Sequence, residues 1–116
     1  MKPVKFVEKP WGSELWVAVG EHYALKIIRF KQGSRSSLQY HNLKTEHIYV
    51  QEGVLQAEEE VDGALVSRQY GPGEVIFNPP GKKHRVSAVT DVVLIEVSTP
   101  ELDDVIRVED DFGRST

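Results

Sequence analysis

Short β-rich runs cut by turn residues leave this chain little freedom of fold class. Leu15–Val19 and Tyr23–Phe30 flank Gly20-Glu21, Glu46–Gln51 leads to Glu52-Gly53, and Val54–Val61 and Ala64–Tyr70 flank Asp62-Gly63. Asp-Gly between two such runs is a strong hairpin signal, because a tight two-residue turn needs positive φ at both positions. Gly71-Pro72-Gly73 breaks the chain before Glu74–Asn78, and Arg85–Val89 and Val92–Val97 read as a last pair around Thr90-Asp91. No helix of more than a turn or two is legible; Pro100–Val105 is the best candidate. Strands at this spacing predict an all-β protein, a sandwich or barrel of antiparallel sheets. With 116 residues the chain can bury one core, so residues 1–116 read as one domain.

Two glycine-punctuated blocks then stand out. Gly33, Gln39, His41, Glu46 and Gly53 spell G-x5-Q-x-H-x4-E-x6-G; Gly73, Pro79, Gly81 and His84 spell G-x5-P-x-G-x2-H. Gln39 and His41 lie two positions apart, so on a strand they share a face. Asn42 to Thr45 are polar enough to turn the chain, and Glu46 then opens a strand beside the first. His84 follows Pro79-Pro80-Gly81, where the chain must bend. One amide oxygen, two imidazoles and one carboxylate can therefore meet at one point, a set suited to a borderline divalent cation. Taken singly, each residue has an ordinary explanation: a lone strand histidine is usually half-buried and hydrogen-bonded, and a lone glutamate solvated. The joint spacing favours metal.

Period-two alternation extends the interior face. Ser37 follows Gln39 and His41 inward, Ile48 and Val50 follow Glu46, and His47 and Tyr49 take the other face. Ala24, Lys26, Ile28 and Phe30 share one face, Leu25, Ile27 and Arg29 the other. If the first set is interior, Lys26 is a buried amine aimed at the metal cavity; if the strand is an edge, it is solvated. Glu96 on the last strand is equally open, since Val93, Ile95 and Val97 claim the opposite face.

The hydrophobic share of 40% and charged share of 28% are those of an ordinary globular protein. A net charge of −4 argues against nucleic acid or anionic membrane as a partner. No apolar run reaches membrane-helix length and the amino terminus has no signal-peptide pattern. The absence of cysteine excludes disulfides and thiol catalysis and agrees with a cytoplasmic location. Chemistry falls to His, Glu, Lys and a bound cofactor.

The two blocks resemble the paired motifs of the cupin superfamily, with Gln39 where most members have a first histidine. The resemblance narrows to the carboxy-terminal cupin domain of type II mannose-6-phosphate isomerases, the isomerase half of bifunctional mannose-1-phosphate guanylyltransferase/mannose-6-phosphate isomerase enzymes. Lys9-Pro10-Trp11-Gly12, Tyr23 with Lys26, Ser37-Leu38-Gln39-x-His41 with Glu46-His47, Asp103–Arg107 and Glu109–Arg114 all resemble that family's blocks, nearly end to end. Lys44 departs from the usual Arg, Tyr49 stands near its usual Trp, and Ser98-Thr99-Pro100-Glu101 replaces a Gly-containing stretch. No counterpart of the nucleotidyltransferase half accompanies the match.

The resemblance implies an antiparallel cupin jelly-roll barrel, a double-stranded β-helix. It also implies a metal-dependent aldose–ketose isomerase acting on mannose 6-phosphate and fructose 6-phosphate. Gln39, His41, Glu46 and His84 would hold one divalent ion, zinc first, with manganese, iron, cobalt or nickel as alternatives. The chemistry needs a base to move a proton between two carbons, for which Lys26 and Glu96 are the candidates. Lys44, Arg85 and Arg107 are the cations that could take a phosphate, although Lys acts there as a point charge and not as a bidentate grip. The alternative is a metal cupin that binds sugar without turnover or with another specificity; metal-dependent oxygen chemistry is less favoured by a fourth protein ligand. Open sheet edges and the run Val4–Glu8, suited to crossing onto a partner near Trp11 and Trp16, lead us to expect a homodimer. The tail Glu109–Thr116 would be mobile or clasp that partner.

Overall fold

Among the described residues 1–114 of the computed structural model, the alternation is realised as eleven strands with no helix. In chain order these are β1 (Lys5–Lys9), β2 (Gly12–Val19), β3 (Ala24–Phe30), β4 (Leu38–Tyr40), β5 (Glu46–Glu52), β6 (Leu55–Val61), β7 (Ala64–Tyr70), β8 (Val75–Asn78), β9 (His84–Ala88), β10 (Val92–Ser98) and β11 (Ile106–Glu109). They form a six-stranded sheet, β1-β2-β3-β10-β5-β8, and a five-stranded sheet, β11-β4-β9-β6-β7, with every pairing antiparallel. Asp62 and Gly63 take φ of 51° and 81°, as the Asp-Gly hairpin requires.

Several expectations about pairing change. β9 and β10 are joined at Thr90-Asp91 but pair in different sheets, and so do β4 and β5, and β5 and β6. Only β1–β2, β2–β3 and β6–β7 are sequential pairs; the other connections cross between sheets, which closes a jelly roll. Pro100–Val105 is a turn-rich stretch and not a helix. The amino-terminal run pairs within its own chain as β1 against β2, Phe6 opposite Leu15. Trp11 is buried and stacks on Phe30 with ring centroids 3.9 Å apart. The tail folds back on its own chain, Arg35 gripping Asp111 through two hydrogen bonds of 2.6 and 2.7 Å. Ser115 and Thr116 lie outside the described residues.

The interior is divided lengthwise. At one end Phe30, Val92, Val50, Leu94, Leu55 and Tyr70 build the apolar core. At the other end the same inward faces carry polar groups: Lys26 opposite Glu96 and Ser98 opposite Glu46, with Asn78 beyond. Because alternation sets the face but not the chemistry, β3 and β10 switch from apolar to charged at Lys26 and Glu96 and β5 one inward position further at Glu46, and a cavity of about 360 Å³ opens there.

Candidate metal centre

His41 follows directly on β4 and belongs to one sheet with His84, the first residue of β9; Glu46, the first residue of β5, belongs to the other. The turn Asn42–Thr45 carries the chain between the sheets and is held by Asp104, whose carboxylate accepts the backbone N–H groups of Asn42, Leu43 and Lys44 at 3.0, 2.6 and 2.9 Å. The Pro79-Pro80-Gly81 corner ends with the Gly81 N–H donating to the His41 carbonyl at 2.7 Å, which ties the second block to the first.

All three side chains are buried, and one ligand atom from each lies within 4.8 Å of the others. His41 Nδ1 is 2.6 Å from the Asp104 carbonyl, and His84 Nδ1 is 2.9 Å from the Lys82 carbonyl. A carbonyl only accepts, so each Nδ1 carries the proton and each Nε2 presents a lone pair. Those two Nε2 atoms are buried without a hydrogen-bond partner and face Glu46, at 3.4 Å from Oε1 and 3.7 Å from Oε2. Two orphaned imidazole nitrogens converging on a buried carboxylate are what a divalent cation satisfies, so the residues present fit the metal.

Burial opposes the charge of Glu46, but His41, Lys44, His84 and Asn78 outweigh it and hold its pKa well below the usual carboxylate value. Burial pushes His84 below the usual imidazole value, which favours the neutral ligand form. His41 is raised: burial opposes its charge, but Glu46 and the Asp104 carbonyl prevail.

Gln39 lines the same cavity and is the register partner of His84, but its Oε1 accepts a 2.7 Å hydrogen bond from Ser37 Oγ. Lys26 is buried, as its alternation with Ala24, Ile28 and Phe30 allows, and pairs with Glu14 Oε1 at 3.2 Å while lying 4.5 Å over the Trp16 ring. Glu96 faces inward. Its carboxyl is pushed up to about 7, by burial first and by the charge of Glu46 second, with Lys44 and Lys26 offsetting only part.

Lys44 is not at the surface. It is buried between two carboxylates, 3.0 Å from Glu46 Oε1 and 3.1 Å from Glu96 Oε2, and despite burial these hold it charged, well above the usual ammonium value. Arg107 lines the cavity from β11. Arg85, by contrast, is absent from the cavity wall: its guanidinium donates to the carbonyls of Ser36 and Glu109 at 3.0 and 3.2 Å, which ties β9 to the end of β11. One residue later than an inward histidine, it takes the opposite face.

Three contributors escaped sequence reasoning. Asn78, fully buried, donates to Glu46 Oε2 at 2.9 Å; its parity with Ile76 just before Pro79 could have revealed it. Glu14, the partner of Lys26, shares parity with Trp16 on β2. Asp104 had no local signal, since its partners lie about sixty residues away and meet it only through folding.

A model of the family described as mannose-6-phosphate isomerase C-terminal matches residues 2–110. The chain is 35% identical over 113 residues to the mannose-1-phosphate guanylyltransferase ManC of Salmonella typhimurium, covering 93% of this chain and 23% of that protein. It is 32% identical over 114 residues to the alginate biosynthesis protein AlgA of Pseudomonas aeruginosa, covering 94% of this chain and again 23% of the relative. Among solved structures, KdgF from Halomonas sp. superposes with a TM-score of 0.77 at 19% identity, over 89% of this chain and 97% of that one. The capsular polysaccharide assembling protein CapF from Staphylococcus aureus gives 0.74 at 19% identity, over 92% and 34%. At that identity the structures speak for the cupin fold alone. The family match spans both glycine-punctuated blocks and the strands between them, and the chain belongs to the mannose-6-phosphate isomerase C-terminal family of cupin domains.

Proposed function

We propose that this domain is a metal-dependent aldose–ketose isomerase that interconverts mannose 6-phosphate and fructose 6-phosphate. One observation carries the reading: a buried His41–Glu46–His84 group with two unpartnered Nε2 atoms shares a cavity with Glu96, whose carboxyl is pushed up to about 7. Gln39, turned from Ser37, is the fourth ligand we assign, and zinc is the first choice for this donor set. When bound, the ion would supply a Lewis acid for the oxygens on C1 and C2.

The remaining roles fall to the chain itself. A carboxyl with a pKa near 7 is matched to taking a proton and returning it at neutral pH, so Glu96 removes the proton from C2 and delivers it to C1 of the enediol. Lys44, bonded to Glu96, holds that carboxylate toward the cavity. Lys26 brings a buried positive charge to the same wall and steadies developing negative charge. Arg107, with Lys9 and Arg114 on the cavity lining, is suited to the phosphate end.

A second reading, sugar binding without turnover, draws support from the closed ion pairs Lys26–Glu14 and Lys44–Glu96, which leave both candidate bases engaged. A coupled assay with mannose 6-phosphate on metal-reconstituted protein separates the two. The isomerase reading expects turnover that disappears in His84→Ala together with stoichiometric metal. Binding of the sugar phosphate with no product favours the second reading, and full metal occupancy in His84→Ala would remove that residue from the site.

A further inference from the structure

The run Glu58-Glu59-Glu60 on β6 has the composition of a solvated strand, yet two of its members grip the corner that leads into His84. Glu59 shares parity with the buried Leu55 and Ala57 and is the register partner of His84. Its Oε1 accepts a 2.6 Å hydrogen bond from Lys82 Nζ, and the side chains of Lys82 and Glu59 are only 17% and 13% exposed. Lys82 Nζ also donates to the Phe77 carbonyl on β8 at 2.6 Å, and the Tyr70 hydroxyl on β7 donates to Glu59 Oε2. Burial opposes the charge of Glu59, but Lys82 and Tyr70 prevail and hold its pKa below the usual carboxylate value. Glu60, one position on, takes the next residue of the corner. Its Oε1 accepts the Lys83 N–H at 3.2 Å, while its own N–H donates to the Lys83 carbonyl at 2.9 Å.

These contacts fix one peptide plane. The bond joining Lys82 to Lys83 carries the Lys82 carbonyl and the Lys83 N–H in a single rigid unit. The carbonyl lies 2.9 Å from His84 Nδ1, the N–H is held by Glu60, and the Lys82 side chain is anchored at both Glu59 and Phe77. The Lys82 N–H itself makes only a long 3.4 Å bond to the Pro79 carbonyl, so the side-chain anchors carry the burden of orienting the plane. While the plane is held, the carbonyl accepts the proton on Nδ1, and the lone pair on His84 Nε2 faces Glu46 Oε2 at 3.7 Å.

We propose that Glu59, Glu60 and Lys82 are positioning residues for His84: through the Lys82–Lys83 peptide they hold its ring in the Nδ1–H tautomer, with Nε2 free to bind a divalent cation. The ion itself rests on the metal reading given above, whereas the ring orientation does not. Outer contacts that fix the tautomer of a metal-binding histidine typically cost roughly 10–100-fold in affinity when they are removed. The competing account is that the same contacts only close the side of the barrel between β7 and β8, which lie at the ends of different sheets. Arg68 on β7 isolates that account, since it lies 4.5 Å over the Tyr70 ring and bonds Glu74 at 2.8 Å.

Two measurements on the full chain separate the accounts. The first needs no metal. Long-range proton–nitrogen NMR of metal-free protein at about pH 8, above the ordinary imidazole pKa, reads which ring nitrogen of His84 carries the proton. Wild type and Arg68→Met are expected to carry it on Nδ1, whereas Lys82→Met should shift toward the Nε2–H form. Glu59→Gln, which keeps the side-chain volume and a group for Tyr70, should shift the same way and carries the test if Lys82→Met folds poorly. The second measurement is zinc affinity by chelator competition. A loss of about tenfold or more is expected in Lys82→Met, with no change in Arg68→Met and partial recovery in Lys82→Arg, whose cation still reaches Glu59. A wild-type tautomer in both Lys82→Met and Glu59→Gln overturns the proposal, whatever their zinc affinity. An equal loss in Arg68→Met also overturns it and returns the network to barrel closure. A tautomer that shifts as expected in a protein that takes up no zinc supports the positioning role and overturns the metal reading instead.

Discussion

Lys44 illustrates what a single buried residue can decide. Its ammonium bridges Glu46 of the metal group and Glu96 of the proposed proton carrier at 3.0 and 3.1 Å, whereas its sequence position suggested a phosphate grip. Only the fold shows that Glu96 arrives from another strand to complete the pair. Breaking one partner of a buried ion pair strands the others, at a cost of about 3–5 kcal/mol. Lys44→Met should therefore destabilise the metal-free protein by that order. A divalent cation should recover part of the loss, so the rise in Tm on adding metal should be larger in the variant than in the wild type. Thermal unfolding with and without metal checks this. Unchanged stability together with a tenfold higher KM for the sugar phosphate would return Lys44 to the phosphate role.

At the scale of elements, nearly every strand was legible because period-two alternation and glycine turns are local signals. Which strands pair was not. Val92–Val97 follows Arg85–Val89 across a two-residue break, yet β9 joins β4 and β6 while β10 joins β3 and β5. Gly53 marks one such crossing between sheets. Its φ is +87°, and a Cβ there would lie 2.2 Å from the Asp91 carbonyl oxygen and 2.8 Å from Val92 Cγ1. Gly53→Ala therefore combines backbone strain with a clash against backbone and should cost about 2 kcal/mol or more. Gly63→Ala has a similar φ of +81° but open space around it, so about 1 kcal/mol is expected from strain alone. Urea unfolding of the two variants tests the order; equal losses would mean that the Asp91 contact relaxes freely.

Over the whole molecule, the charged end of the barrel should make stability depend on pH in a way that one variant isolates. A buried carboxyl whose pKa lies above its unfolded value favours the fold only while protonated. Glu96, raised from 4.5 to about 7, thus contributes fully below pH 4.5 and loses that contribution as pH climbs through 7. Glu46, lowered, behaves oppositely and weakens the fold only as pH falls into its depressed range. The unfolding free energy of metal-free wild type minus that of Glu96→Gln should fall between pH 4.5 and 7 and then level off, since Lys44 stays charged throughout. A flat difference would show that Glu96 does not titrate there and would remove the basis for its role as base. The sequence by itself determined the strand class, the inward face of β5, and the convergence of His41, Glu46 and His84, because alternation and turn chemistry act over a few residues, while the burial of Lys26 on β3 waited for the structure. Only the tertiary structure decided that Lys44 meets Glu96, that Asp104 fixes the His41 ring, that Arg85 leaves the cavity and that Glu59 and Glu60 meet Lys82 and Lys83. Those facts depend on which distant strands lie side by side, and that choice is made by packing the two sheets together.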